Sequence, residues 1–171
     1  LGDYGLNDKN LSYENRKFQS LIKSIADYAE IGIHPSFGSN SIKERLGKEI
    51  LRLQKIVKRE IKKSRQHFLR LKLPDTYRDL IEQDISEDYT MGFANELGFK
   101  AGTCTPYPFY DLDSEVECKL TIFPFQIMEA TLKYYLKLDA SDAISEMEPI
   151  IKEVKAVKGT LISLWHNESL S

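Results

Sequence analysis

The chain has 171 residues, of which 42% are hydrophobic and 29% are charged, and its formal net charge at pH 7 is −2. This composition is that of a soluble globular protein, and the length is that of one domain. The balanced charge predicts no nucleic-acid partner, and no apolar run approaches the ~20 residues that would predict a membrane span.

The cysteines of the chain, more than its first residues, bear on its location. The chain begins LGDYGLNDKN, without a methionine and without the basic head and apolar middle of a signal peptide. The two cysteines, Cys104 and Cys118, form no metal-binding pattern. A single disulfide is one possibility, but two free thiols in a reducing compartment are favoured. We therefore predict a cytoplasmic protein.

Apolar residues that recur every three or four positions predict amphipathic helices. These helices cover residues 14–29, 42–62, 74–83, 125–138 and 141–157. Strands are predicted at 30–34, 64–71, 86–92, 98–102, 115–125 and 160–165, and the prolines of 105–111 predict a loop. Because helices and strands alternate through most of the chain, we predict an α/β fold with a largely parallel sheet and helical crossovers.

The chain has three histidines, and all of them fall on or beside predicted strands. His34 and His166 lie at the C-terminal ends of two strands, and His67 lies within a third, two residues after Arg65. Since the C-terminal ends of parallel strands converge on one face, we expect His34, Arg65 and His166 to surround a single pocket. Each histidine has an alternative interpretation as a hydrogen-bonded structural residue.

Other residues of this predicted pocket suit a polar substrate. The rigid guanidinium of Arg65 can hold a carboxylate through two hydrogen bonds. Trp165, next to His166, offers a flat wall for a sugar ring or an acyl group, or it is part of the core. The chain has no glycine-rich phosphate loop, so a nucleotide-dependent enzyme is not expected.

Five segments, taken in order, resemble the polysaccharide deacetylase or NodB-homology family, and in particular a bacterial branch of it. They are EIGIHPSFGSN, SRQHFL, EDYTMGFANELGFKAGT, PYPFYDL and LWHNES. The resemblance extends over residues 1–171. It implies a distorted (β/α) barrel with its site at the strand C-termini, and hydrolysis of acetyl groups on N- or O-acetylated sugars with a divalent metal ion, usually zinc.

The family motifs are matched unevenly. His34 matches the first histidine of the second motif, but Gly38 stands where the second histidine is expected. Arg65 matches the third motif by position, Asp88 matches the fourth loosely, and His166 matches the fifth. The first motif, with two aspartates on the first strand, has no counterpart. The resemblance therefore implies that these residues are the C-terminal portion of a longer domain.

The resemblance also implies roles for individual side chains. His166 would act as the general acid, with Arg65 and Asp88 as further catalytic residues. His34 would bind the metal ion, with His67 in place of the missing histidine. The substrate, an acetylated polysaccharide or oligosaccharide, would lie against aromatic side chains, namely Trp165, Tyr107, Phe109 and Tyr110.

Because a catalytic base and one metal ligand are missing, the chain is expected to be a partial or inactive version of such an enzyme. Two alternatives are a non-catalytic glycan-binding protein of the same fold and a metal-independent, xylanase-like glycan hydrolase. The hydrolase would use a pair of carboxylates at a characteristic separation. The candidates are Asp88, Asp111 and Glu168.

Overall fold

The computed structural model describes residues 1–170, apart from the side chains of Glu168 and Leu170. The carboxylate role considered for Glu168 therefore lies outside the described residues. The chain divides into two compact units. The first unit comprises Leu1–Asp88 and Pro108–Thr121, and the second comprises Tyr89–Tyr107 and the chain from Ile122 onward. Helices and strands occur in both units, so the predicted mixed α/β class is confirmed.

The first unit contains three helices and most of a four-stranded sheet, of which only Tyr107 and Ile122 belong to the second unit. The helices are α1 (Arg16–Ala26), α2 (Lys43–Val57) and α3 (Asp75–Glu82). The strands are β1 (Lys63–Ser64), β2 (Glu87–Asp88), β3 (Tyr107–Asp111) and β4 (Val116–Ile122), in the order β1-β2-β4-β3. The apolar stripe of α2 is buried, as its spacing predicts; it consists of Leu46, Ile50, Leu53 and Ile56.

The parallel register of this sheet aligns three strand ends. In β1 and β2, Lys63 lies opposite Glu87 and Ser64 lies opposite Asp88. On the other side of β1, Ile33 forms an isolated parallel bridge with Ser64. Ile33, Ser64 and Asp88 therefore lie side by side, which is the parallel arrangement that the sequence predicts.

The second unit is built around a short parallel pair of strands. These are β5 (Ile127–Met128) and β6 (Ser163–Leu164). A π-helical turn (Thr131–Tyr135) and helix α4 (Ala140–Ala156) connect them. Gln126 extends the pairing, because its backbone N–H donates to Ile162 O and its side-chain oxygen accepts from Ile162 N–H, both at 3.0 Å.

The predicted loop at 105–111 is wrong, because most of that segment forms β3. Its prolines argued against a strand, since proline lacks the N–H that a central strand needs. In the observed order, however, β3 is an edge strand, where one side of the backbone needs no ladder partner.

Three other predicted elements are also corrected. The strand at 64–71 ends at Ser64, because Phe68 and Leu69 adopt left-handed conformations with φ of 56° and 51° in a 3-10 turn. Residues 98–102 form a turn instead of a strand. The helix at 125–138 is replaced by β5 and the π-helical turn, because the first part of that segment pairs with β6.

Two further predictions concern the membrane and the thiols. Within residues 1–170, no helix combines the length and the apolar character that crossing a bilayer requires. Both cysteines are free thiols, with Cys104 buried and Cys118 partly exposed. The prediction of two unpaired cysteines is therefore confirmed.

An ion pair joins α3 to the end of β3. Arg78 donates from Nε to Oδ2 of Asp111 and from Nη2 to Oδ1, both at 2.6 Å. The hydrogen bonds from this guanidinium lower the pKa of Asp111 to about 2. Since both oxygens are engaged and the carboxyl group stays ionised, the structure favours a structural role for Asp111 over the catalytic one considered for it.

Replacing Asp111 by Asn should destabilise the protein at neutral pH and have little effect in strong acid. A lowered folded pKa contributes stability that is complete above the ordinary value of 3.8 and is lost as the pH falls through about 2. Urea unfolding of both proteins at pH 7, 4 and 2 measures the difference. Asp113→Asn is the control, because Asp113 contacts Arg78 through one exposed oxygen. An equal loss at every pH would contradict the ion-pair account.

Candidate functional site

One end of the first unit's sheet carries three of the predicted site residues. His34 follows Ile33, Arg65 follows Ser64, and Asp88 is the last residue of β2. The register therefore brings His34, Arg65 and Asp88 to the same edge. The backbone of Arg65 contacts the neighbouring segment at two points. Its N–H donates to Ile33 O at 3.0 Å, and its carbonyl oxygen lies 2.7 Å from Nδ1 of His34.

The contact between His34 and Arg65 determines which nitrogen carries the proton when the His34 imidazole is neutral. A carbonyl oxygen only accepts hydrogen bonds, so Nδ1 of His34 carries the proton and Nε2 is the basic nitrogen. The segment after His34 is held as well. The buried carboxylate of Glu49 accepts from Ser36 N–H at 2.8 Å and from Ser36 Oγ at 2.6 Å. Helix α2 thus anchors the loop that follows the imidazole.

His67 lies beside His34. It does not lie on a strand, in contrast to the prediction. The two ring centroids are 5.0 Å apart, with an edge-on arrangement of 65°. Nδ1 of His67 lies 3.0 Å from Oδ1 of Asp8. The pairing of His34 with His67 was anticipated from the resemblance, whereas Asp8 was not, because it lies 59 positions away in a segment without a motif.

In the second unit, His166 is paired with a buried glutamate. Parallel pairing of Met128 with Leu164 brings the residues after β5 and β6 together. Oε1 of Glu129 accepts three hydrogen bonds: from the His166 N–H at 3.0 Å, from its Nδ1 at 2.6 Å and from Ser169 Oγ at 2.9 Å. Glu129 is a second functional candidate that sequence reasoning missed, since it falls in a segment predicted to be helical.

The electrostatics of this pair favour an ionised Glu129. Burial raises the pKa of Glu129, but the hydrogen bonds from His166 and Ser169 outweigh burial and lower the pKa overall. The carboxylate only accepts, so Nδ1 of His166 is the protonated nitrogen and Nε2 is left to exchange protons. The glutamate side chain is 6% exposed and the imidazole 43% exposed, so the ring can reach a substrate.

The predicted aromatic wall is distributed over both units. Trp165 is half-exposed in the second unit, where its Nε1–H donates to Ser163 Oγ at 3.0 Å. Tyr107, at the start of β3, belongs to the same unit. Phe109 belongs to the first unit and packs edge-on against Tyr77, with ring centroids 5.1 Å apart. Substrate contact by these aromatic side chains stays a prediction, as does the single pocket.

The described side chains supply some, but not all, of the ligands that a catalytic zinc ion requires. Imidazole nitrogens are good zinc ligands, and His34 and His67 supply two of them. Among the side chains that the structure describes, however, no three His, Cys, Asp or Glu residues are grouped so that they could hold a metal ion. Catalytic zinc usually has three protein ligands, so the described residues fit in ligand type but not in ligand number.

No protein-family model matches this chain, and no curated protein matches it. Its structure is similar to the crystal structure of a "putative polysaccharide deacetylase" from Mycobacterium smegmatis, with a TM-score of 0.66 and 15% sequence identity. The similarity covers 90% of this chain and 55% of that protein, so the chain spans about half of its length. At this identity the comparison shows a related fold.

Replacing Glu129 by Gln should lower the free energy of unfolding by about 1–3 kcal/mol at pH 7, because charge-assisted hydrogen bonds are lost. The folded pKa of Glu129 is lowered, so its contribution is complete above the ordinary value of 4.5 and declines as the pH falls below it. Urea unfolding at pH 7 and pH 3 tests this. Ser169→Ala, which removes one of the three hydrogen bonds, should cost less than Glu129→Gln at pH 7; an equal or larger loss would refute the ranking.

Proposed function

We propose that this chain is part of a carbohydrate deacetylase-like hydrolase that removes acetyl groups from N- or O-acetylated sugars. The observation that carries the proposal is the Glu129–His166 pair, since an imidazole backed by a buried carboxylate lies two residues after the end of a strand. The similarity in fold to the M. smegmatis protein supports the same conclusion. As part of this proposal, the specific fold is a distorted (β/α) barrel, and its domain is longer than residues 1–171.

His166 has the chemistry of a general acid. Hydrolysis of an acetyl amide or ester requires a water molecule to attack the carbonyl carbon and a proton to reach the leaving nitrogen or oxygen. With Nδ1–H held by Glu129, the imidazolium can donate only from Nε2. The ionised Glu129 stabilises the imidazolium before the transfer and keeps the ring oriented after it.

The sheet edge in the first unit holds the other proposed groups. Arg65 and Asp88 are proposed as further catalytic residues; the guanidinium suits a carboxylate or a developing negative charge. Asp88 is fully buried at the end of β2. Arg65 lies one residue beyond the end of the neighbouring strand, β1. These roles rest on the alignment of the strand ends.

A divalent metal ion, with zinc as the first candidate, is also part of the proposal. His34 and His67 would contribute two ligands through Nε2, and such an ion would polarise the acetyl carbonyl. Trp165, Tyr107 and Phe109 are proposed to contact the sugar. The two free cysteines support a reducing, cytoplasmic location.

Acetate release from an acetylated chitooligosaccharide or an acetylated xylan by the full-length protein, of which this chain is proposed to be a part, tests the activity. We expect His166→Ala to reduce the rate by about 10²–10⁴-fold, the usual contribution of a general acid. Asn167→Ala is the matched control, because Asn167 is exposed beside His166. Unchanged acetate release in His166→Ala would refute the assignment of the acid. Glycan binding without any release would favour the alternative of a non-catalytic binding protein.

Calorimetric titration of the metal-free protein with Zn²⁺ or Co²⁺ tests the metal proposal. We expect binding of about one ion per chain, weakened at least 10-fold by His34→Ala or by His67→Ala, because two imidazoles provide the described nitrogen ligands. His166→Ala is the matched control, and its affinity should be unchanged. Equal affinity in all three variants would show that the ion binds elsewhere.

A further inference from the structure

Asp8 lies in the irregular segment before α1, and its carboxylate contacts two groups at the candidate site. Oδ1 accepts a hydrogen bond from the Phe37 N–H at 2.9 Å and lies 3.0 Å from Nδ1 of His67. The side chain is 15% exposed. The backbone around it is also fixed, since the Gly5 N–H donates to Asp8 O at 2.9 Å. A nearly buried carboxylate therefore joins the two loops that flank the imidazole pair.

The turn that carries His67 has a strained backbone. It packs against Phe37, the residue whose N–H donates to Asp8. The two residues after His67 have backbone φ angles of 56° and 51°, values that residues other than glycine rarely adopt. Phe68 packs edge-on against Phe37, with ring centroids 5.6 Å apart. The Arg70 guanidinium lies 4.0 Å above the Phe37 ring and donates to Phe37 O at 2.8 Å. Asp8 therefore holds the His67 ring directly and, by accepting from the Phe37 N–H, helps to hold the turn that carries it.

The contact with Asp8 determines which nitrogen of His67 is basic. An ionised carboxylate only accepts hydrogen bonds, so the proton of the neutral imidazole lies on Nδ1 and the lone pair on Nε2. His34 reaches the same form through the Arg65 carbonyl oxygen. Two neighbouring imidazoles, 5.0 Å apart, thus have the same tautomer although their partners come from unrelated segments.

We propose that Asp8 is a positioning residue of the candidate site, which fixes the tautomer and the ring orientation of His67 so that Nε2 is its functional nitrogen. Carboxylate partners of this kind fix the tautomer and the ring orientation of imidazoles in many sites. The catalytic meaning of this inference rests on the proposed function. Its structural content, the protonated nitrogen of His67, does not.

Long-range ¹H–¹⁵N correlation spectra of the labelled protein, at a pH where the imidazoles are neutral, report the tautomer of each histidine directly. We expect His67 in the Nδ1–H form, although a neutral imidazole in water prefers the Nε2–H form. Asp8→Ala should return His67 to the Nε2–H form. Asp8→Asn should keep the Nδ1–H form, because the amide oxygen can still accept. His166, held by Glu129, serves as an internal reference.

The controls separate positioning from general damage to the fold. Asp3→Ala removes a carboxylate from the same segment, one that pairs with Arg52 and not with His67. Its His67 signals should match those of the wild type. A wild-type His67 in the Nε2–H form would overturn the proposal even if Asp8→Ala failed to fold. An Nδ1–H form that persists in a folded Asp8→Ala would also overturn it.

Acetate release provides the second measurement. Asp8→Ala should reduce the rate by about 10- to 100-fold, the usual loss when a partner that orients an imidazole is removed, and Asp8→Asn should restore most of it. Equal rates in Asp8→Ala and the wild type would overturn the positioning role while leaving the proposed function intact. A wild type that releases no acetate would instead refute the proposed function, and the spectra would still decide the tautomer.

Discussion

The parallel pairing of Ser64 with Ile33 on one side and with Asp88 on the other is the constraint on which the first unit depends. Parallel strands bring their C-terminal ends to one edge, so a polar residue placed just after each strand necessarily meets the others. His34 and Arg65 stand one residue beyond the paired positions. Their proximity is therefore a consequence of register, and a shift of one residue would send these side chains to opposite faces of the sheet.

Carboxylates that accept hydrogen bonds do the fine positioning in both units. Glu49 holds the loop after His34, Asp8 holds His67, and Glu129 holds His166. In each case one carboxylate accepts two or three hydrogen bonds from residues outside its own segment. Such an acceptor fixes the imidazole more firmly than apolar packing could, because a ring can rotate within an apolar contact but not while a hydrogen bond must be kept. The arrangement occurs in both units.

Sequence periodicity was sufficient for the parts of the fold that depend on local pattern. The helices α1, α2 and α4 follow from apolar spacing, whereas the predicted strands at 30–34 and 160–165 reduce to a bridge at Ile33 and the short β6. The strand β3 could not be predicted, because its prolines are tolerated only by virtue of its edge position, which is a tertiary property. Asp8 and Glu129 were missed because their significance comes from contacts across 59 and 37 positions, for which a single sequence carries no signal.

The division of the chain has a consequence for how such a protein can be rearranged. The backbone passes from one unit to the other after Asp88, after Tyr107 and after Thr121. Each unit is therefore assembled from two separate stretches of the chain, and a stretch of the other unit lies between them in sequence. An uninterrupted gene segment that encodes all of one unit therefore also encodes part of the other, so exchange of such segments should not transfer either unit alone.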